Sequence, residues 1–126
     1  MEDKISIRPV IESIISYDKS TDIESFQNLS VRPIIKLQHA ILIAFFKQHL
    51  ISRKTSFEKL SAEKSFLFIE NSLTKDNRLK NQLIGIIIGL FTLDEFEVYL
   101  ENSSEYNKRI LNILKTRYKD SLSQLQ

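Results

Sequence analysis

Ser30-Val31-Arg32-Pro33-Ile34-Ile35 opens the longest apolar segment of this 126-residue chain, and Ser6-Ile7-Arg8-Pro9-Val10-Ile11 is a near-copy of it. The two hexapeptides contain both prolines of the sequence. Proline fits the first turn of a helix, where its missing N–H would have no partner, and the serine side chain can accept a hydrogen bond there. Each hexapeptide therefore predicts the start of a helix.

The apolar segment that follows covers residues 33 to about 52, and its apolar residues surround the helical wheel almost completely. Lys36 and Lys47 supply the one clear polar seam. Such a pattern is typical of a central buried helix. A second stretch that is apolar all round covers residues 83–91, and we expect it to pack against the first.

Capping signals divide the rest of the chain. Thr92 and Glu95 form a capping box, and Phe91 with Phe96 flank it as a hydrophobic staple, so a helix is predicted to begin near residue 93. Earlier helix starts are predicted at Thr55 with Glu58, at Ser61 and at Asp76. After a break at residues 102–104, the last helix should turn one stripe inward: Tyr106, Ile110, Ile113, Leu114, Tyr118 and Leu122.

These signals predict an all-α, single-domain bundle of five or six helices over residues 1–126, centred on the helix at 33–52. A β-protein needs tight turns at residues that tolerate positive φ, and two helix-spaced glycines cannot supply them. Residues 1–28 are predicted to form a helical arm that docks on the body. The arm is the predicted interaction element of a homodimer, through Ile11, Ile14, Ile15 and Phe26.

Composition restricts the classes of function. The formal charge is only +2, from 18 basic and 16 acidic residues, which disfavours nucleic acid as a partner. The chain has no cysteine. Its N-terminus lacks the basic-then-apolar order of a signal peptide, and no apolar run approaches the roughly 20 residues that span a bilayer. We therefore expect a cytoplasmic protein without a membrane partner.

Few residues are candidates for chemistry. His39 and His49 are the only histidines, and their spacing on one helix corresponds to about 15 Å, too far to share a metal. No metal site, cofactor or catalytic residue is predicted. His49 and Gln38 share an azimuth and are either two hydrogen-bonded polar groups of the core boundary or part of a ligand pocket. His39 is expected to face solvent.

Charged residues near the C-terminus alternate in sign between two helices. The acidic set is Asp94, Glu95, Glu97, Glu101 and Glu105, and the basic set is Lys108, Arg109, Lys115, Arg117 and Lys119. In a helical hairpin the two sets would face each other; otherwise the basic face is open to phosphate. If the pocket near Gln38 and His49 binds a small molecule, either neighbouring carboxylates or Arg32 and Arg109 are its candidate ligand anchors.

The only two glycines, Gly85 and Gly89, form one G-x-x-x-G. The apolar stretch around them is too short for a membrane dimer, and no Lys-Ser/Thr pair follows to make a phosphate loop. Two glycines cost a helix roughly 1–2 kcal/mol against alanine. Close packing of another helix at this position is therefore the favoured interpretation.

Several short stretches resemble a group of small all-helical bacterial proteins: Phe26-Gln27-Asn28, residues 31–38, Gly89-Leu90-Phe91-Thr92 with Glu95, and residues 102–110. The resemblance covers nearly the whole chain and implies an all-helical fold. Some members of that group carry a glyoxalase label. Glyoxalase-type lyases hold their metal with His and Glu on the strands of a βαβββ fold, and this chain offers no strands, so the resemblance implies no catalytic residue.

Two functions follow as hypotheses. The first is a non-enzymatic interaction or scaffold protein, whose partner is a second copy or another protein, because two apolar helices in so small a chain leave much surface to cover. The second is a small-molecule enzyme with a pocket near Gln38 and His49. An enclosed cavity with convergent polar groups would favour the enzyme hypothesis. A continuous apolar surface patch would favour the interaction-protein hypothesis.

Overall fold

A computed structural model describes residues 7–8 and 22–126 of the chain, and the described part is all-α, as predicted. No strand occurs in these residues. The helices follow one another as α1 (Asp22–Phe26), a π-helical turn (Gln27–Val31), α2 (Arg32–Leu37), α3 (His39–Ser52), a 3₁₀ turn (Phe57–Lys59), α4 (Ala62–Lys75), α5 (Asn77–Ile88), α6 (Leu93–Glu101), α7 (Ser103–Lys119) and α8 (Leu122–Leu125).

Pro33 lies in the first turn of α2, as the second hexapeptide predicts, but α2 does not start from non-helical chain. Helical backbone already precedes it, and Arg32 N–H donates to the carbonyl of Gln27 in a π-type bond. A proline inside an α-helix removes one hydrogen bond and collides with the carbonyl four residues earlier. The π turn immediately before Pro33 accommodates both defects, since it widens the helix at that point. Ser30 is buried in this turn and caps nothing.

The predicted central helix is broken. Gln38 leaves the helical conformation (φ −88°, ψ 10°), and the axis bends by 66° between the helical stretches 22–37 and 39–52. Nor is α3 buried on all sides, because Ile41 and Ile51 are 53% and 68% exposed. A helix that is apolar on every side can be buried on every side, but the number of helices that pack against it determines how many sides are buried.

The core lies where α4 and α5 pack against α7, and where α3 closes over the same face. The main partners of α5 are α4 and α7. Its contact with the apolar segment that includes Pro33 is smaller and includes the Gln38 amide, 3.4 Å from the carbonyl of Ile86. An aromatic cluster surrounds Phe46, whose ring lies 4.5 Å from that of Tyr118. The Tyr118 hydroxyl donates to the carbonyl of Leu42 at 2.8 Å, so its polar atom is satisfied inside the core.

The capping predictions are confirmed at three of four positions. Thr92 accepts from the backbone N–H of Glu95 and the Glu95 carboxylate accepts from that of Thr92, which completes the capping box of α6. Ser61 and Asp76 cap α4 and α5. The capping box at Thr55 is wrong, because Ser56 precedes the 3₁₀ turn and no side chain caps it.

The inward stripe of α7 and α8 is as predicted. Four of its six residues are buried, and the other two, Ile113 and Leu122, are partly buried against the same core. The buried four recur at helical spacing along α7: Tyr106, Ile110, Leu114 and Tyr118.

The G-x-x-x-G does not mark a helix crossing in the described part of the chain, which corrects the prediction. Both glycines are exposed, and a Cβ added at Gly85 would meet no described atom within 4 Å. A Cβ at Gly89 would meet only the carbonyl oxygen of Gly85, at 3.1 Å. Small residues permit close approach, but none of the described helices approaches these two.

Most of the arm, including Ile11, Ile14 and Ile15, lies outside the described residues. Phe26 is described, and its ring packs within the same chain against Phe91 and Tyr106, at centroid distances of 5.4 and 4.7 Å. Among the described helices no single one has the length and apolarity to cross a membrane; only the bent pair 22–37 and 39–52 meets those two criteria when taken together.

Candidate functional site: a basic groove along α7

One face of α7 forms the floor of an open groove of about 580 Å³. The π turn and α2 contribute Gln27 and Arg32, so the groove lies between two helical segments that are far apart in sequence. The groove residues of α7, with Asp120 directly after it, recur once per turn: Glu105, Lys108, Arg109, Asn112, Ile113, Thr116, Arg117 and Asp120. Arg32 and Arg109, the two candidate ligand anchors, thus line one groove, but Gln38 and His49, beside which they were predicted, do not line it.

Charge in this groove is unbalanced. Four cationic side chains face two acidic ones, which leaves a formal excess of two positive charges. Arg109 has an ion pair with Glu105 at 3.0 Å. Within residues 7–8 and 22–126, no carboxylate pairs with Arg32, Lys108 or Arg117.

The three arginines are each held by a neighbouring side chain. Arg32 donates through Nε to Asn28 Oδ1 at 3.0 Å, and Arg109 donates through Nη1 to Gln27 Oε1 at 3.1 Å. Arg117 donates through Nε to His39 Nδ1 at 3.1 Å. Because a guanidinium carries five N–H donors, these contacts orient the group and leave further donors for a ligand.

His39 is half-buried rather than solvent-facing, which corrects its predicted placement. Its Nδ1 accepts from Arg117, so its proton is on Nε2, which lies 2.8 Å from Gln124 Oε1. A neutral imidazole can thus hold Arg117 without neutralising it. Burial lowers the pKa of Arg117 from its ordinary value, and no carboxylate of the described residues offsets the lost hydration.

The acidic face of α6 and the basic face of α7 do not pair in the way a simple hairpin would require. Lys115 and Lys119 instead contact Glu70 of α4, at 2.7 and 3.1 Å. Those lysines lie on the side of α7 that packs on α4, and the groove lies on another side of the same helix. The basic residues predicted as one set therefore divide into a paired group and an open group.

A second charged site lies at the start of α6. Arg8 forms two hydrogen bonds of 2.7 Å to the two carboxylate oxygens of Glu95, and a third of 2.8 Å to the carbonyl of Leu90. The side chains of Arg8 and Glu95 are only 6% and 15% exposed. The pair therefore joins the first hexapeptide to the beginning of α6 through a buried, bidentate ion pair.

Glu95 is also the acidic member of the capping box. Burial raises the pKa of Glu95, but hydrogen bonds from Arg8, from Ser30 and from the backbone N–H of Thr92 outweigh it and lower the pKa to about 2. The carboxylate is thus held ionised and fully engaged. The carboxylate has no capacity left for a ligand, and Arg8 Nε, which has no hydrogen-bond partner among the described residues, is buried. The pair therefore serves the fold.

His49 lies between two open grooves of about 440 and 470 Å³, both of which include Arg53 and Asp76. Its Nε2 is 3.1 Å from the hydroxyl of Ser72. Burial lowers the pKa of His49, with Arg53 acting in the same direction and Asp76 against it. The ring therefore stays neutral at neutral pH.

Gln38 and His49 line no common groove around His49, and each has its own hydrogen-bond partner, which agrees with the alternative of two hydrogen-bonded polar groups at the core boundary. Gln38 occupies the bend before α3, where its amide reaches the carbonyl of Ile86 at 3.4 Å, while His49 lies in the last turn of the same helix. Gln38 is absent from both grooves around His49.

Sequence reasoning missed Gln27 and Asp120 as members of the groove and placed Arg117 only in the basic set of the last helix. The helical spacing of Arg109, Ile113, Arg117 and Asp120 is the signal that would have placed the α7 members on one face. No local signal indicates Gln27, because its position depends on how the π turn packs on α7. The Arg8–Glu95 pair joins residues 87 positions apart and has no local signal either.

In the part of the chain that the structure describes, no cluster of three or more His, Asp or Glu residues is arranged to hold a metal ion. Comparison of the chain with known proteins identified no relative: no family model, no curated protein and no solved structure matches it.

Proposed function

We propose that this protein is a non-enzymatic binding protein that recognises an anionic group in the basic groove. The observation that carries the proposal is the convergence of Arg32, Arg109 and Arg117 on one groove that holds fewer carboxylates than cations. Arginine side chains bind phosphate and carboxylate through paired N–H donors. An excess of oriented, partly buried arginines is therefore suited to an anionic partner.

The open shape of the groove favours binding over catalysis. Its floor is a single helix face, and the side chains along it are chiefly charged or amide-bearing, with Ile113 as the apolar member. Catalysis of acyl or phosphoryl transfer needs a site that excludes water around the reacting atoms. An open groove lacks that property, while its charge attracts and orients an anion.

The test is titration calorimetry of the full chain with pyrophosphate at constant ionic strength. We expect saturable binding, and we expect Arg32→Gln and Arg109→Gln each to weaken it by roughly tenfold or more, since a hydrogen bond to a charged group contributes about 1.5–3 kcal/mol. Arg53→Gln is the matched control, because it removes the same charge from an exposed pair with Asp76 outside the groove. No saturable binding, or equal weakening by the control, would contradict the proposal.

An enzyme remains the second candidate, and it rests on His49. A neutral imidazole within hydrogen-bond reach of the Ser72 hydroxyl is the arrangement of a base and a nucleophile. The activity it would support is hydrolysis of a small ester. Equal rates of 4-nitrophenyl acetate hydrolysis for the full chain and for His49→Gln would dismiss this candidate.

Homodimerisation and a cytoplasmic location stay predictions from the sequence. The homodimer is supported by the large exposed apolar residues on the outer sides of α3, α4 and α6, of which Ile51 and Leu67 are examples. Light scattering on the full chain at micromolar concentration tests it, and a monomer mass would exclude it.

A further inference from the structure

Charge is distributed unevenly along the basic groove. At one end, Lys108 and Arg109 lie beside the single acid Glu105, with which Arg109 pairs at 3.0 Å. Arg32 belongs to the same end, because Arg32 and Arg109 are held by the adjacent residues Asn28 and Gln27. At the other end, Arg117 and Asp120 balance each other in formal charge, and they form no ion pair with each other. The first end therefore attracts a full anionic charge, while the second offers both a hydrogen-bond donor and an acceptor.

The two ends are separated along the axis of α7. Arg109 and Arg117 lie about two turns apart, which corresponds to roughly 12 Å. Between them the groove is neutral, with Asn112, Ile113 and Thr116 along the floor. The hydroxyl of Thr116 donates to the carbonyl of Asn112 at 3.3 Å, so its oxygen remains free to accept a hydrogen bond.

We infer that the groove binds an elongated phosphomonoester, with its phosphate between Arg32 and Arg109 and a hydroxyl- or amide-bearing end at Arg117 and Asp120. This inference rests on the proposed function and specifies the ligand. Arg32 and Arg109 approach from different helices and supply paired donors for the phosphate oxygens. Asp120 accepts from hydroxyl or amino groups, which inorganic phosphate lacks at that distance. The groove volume of about 580 Å³ lies in the range of small-molecule clefts.

Nucleotides and sugar phosphates both have this chemistry, and calorimetry with four ligands separates them. The ligands are AMP, glucose 6-phosphate, inorganic phosphate and unphosphorylated adenosine, each titrated into the full chain at one ionic strength. At least one of the two esters is expected to bind about tenfold more tightly than inorganic phosphate, because its far end adds hydrogen bonds. Adenosine is expected to bind too weakly to measure. Tighter binding of AMP would identify the ligand class as nucleotides, and tighter binding of glucose 6-phosphate would identify it as sugar phosphates.

Variants at the two ends then distinguish the inference from the proposed function. Asp120→Ala is expected to lower the affinity for the ester to that for inorganic phosphate and to leave the affinity for inorganic phosphate unchanged. Arg109→Gln should weaken the binding of both ligands by roughly tenfold. Asp94→Ala, an exposed acid outside the groove, is the matched control for Asp120→Ala.

Equal affinities for the esters and inorganic phosphate would overturn the inference and leave the proposed function standing. The same holds if Asp120→Ala leaves the ratio of the two affinities unchanged. Failure of pyrophosphate and of all four ligands to bind would overturn the proposed function as well.

Discussion

Arg8 and Arg32 occupy the same position in two nearly identical hexapeptides, but the fold surrounds them differently. Arg8 is buried and has a bidentate partner in Glu95, whereas Arg32 is half-buried at the edge of a groove and is held by the amide oxygen of Asn28. One arginine is neutralised by its own chain and the other is not. The same local sequence thus contains an arginine in both places. A carboxylate distant in sequence determines whether that arginine stabilises the fold or is left to bind a ligand.

The same contrast extends to the acidic partners. Glu95 is held by Arg8, Ser30 and Thr92 and has no capacity left for a ligand. In the basic groove, Glu105 neutralises only one of several cations. Buried charges must be paired to be tolerated, and partly exposed cations need not be, because water compensates them until a ligand does.

The largest expected effect comes from comparing Arg8→Met with Arg32→Met. Arg8→Met leaves the buried Glu95 carboxylate without its cation, and removing one member of a buried pair costs about 3–5 kcal/mol of unfolding free energy. Arg32→Met removes one hydrogen bond near the surface and should cost less than about 1.5 kcal/mol. Urea denaturation of both variants measures the difference. Similar losses would show that the two arginines do not differ in role.

The second largest effect is the loss of the stabilisation from the Arg8–Glu95 pair at acid pH. The pKa of Glu95 in the folded protein, about 2, lies below its ordinary 4.5, so its stabilisation is fully present above pH 4.5 and is lost as the pH falls through 2. The shift corresponds to about 3 kcal/mol, with little screening because the side chain is 15% exposed.

The measurement is the unfolding free energy at pH 6 and at pH 3, in the wild type and in Glu95→Gln. The variant should lose less stability between the two pH values than the wild type does. Glu97→Gln, an exposed acid of the same helix, is the control and should follow the wild type. Equal pH dependence of Glu95→Gln and the wild type would refute the prediction.

A smaller effect is expected at Glu70, because its low pKa is not accompanied by a large contribution to stability. Hydrogen bonds from Lys115 and Lys119 lower the pKa of Glu70 to about 2, as low as that of Glu95. Its side chain, however, is 43% exposed, so water and salt screen the interaction. Glu70→Gln should therefore cost at most about 1 kcal/mol at low salt.

Repeating the denaturation of Glu70→Gln in 1 M sodium chloride should reduce that cost further, whereas the cost of Arg8→Met should change little. A loss at Glu70 as large as the loss at Arg8 would mean that burial does not explain the contrast between the two sites.

The smallest effect concerns Gly85, which belongs to neither charged region. Its φ is not positive and no described atom lies within 4 Å of an added Cβ, so Gly85→Ala should stabilise α5 by about 0.5–1 kcal/mol. Gly89→Ala should gain less, because its Cβ would lie 3.1 Å from the carbonyl of Gly85. Thermal melts give both values. A lower melting temperature for Gly85→Ala would indicate that something covers this face.

Much of the helical fold could be predicted from local patterns. The capping box at Thr92 and the caps at Ser61 and Asp76 were readable because a cap acts within about four residues of its helix. The bend at Gln38 was not readable, since neither proline nor glycine lies there and the neighbouring helices set the angle. The groove was predicted only as two separate arginines, because its walls come from the π turn, α2 and α7.

By itself, the sequence determined the all-α class, several helix starts and the inward stripe of α7, because these depend on propensity, capping and periodicity over a few turns. The tertiary structure alone decided that Arg8 meets Glu95, that α3 has an exposed side and that no described helix crosses at the glycines. It also decided that Arg32, Arg109 and Arg117 share a groove. Contacts between residues far apart in sequence depend on how the helices pack, and the sequence of one helix does not predict where the charged residues of another helix will lie.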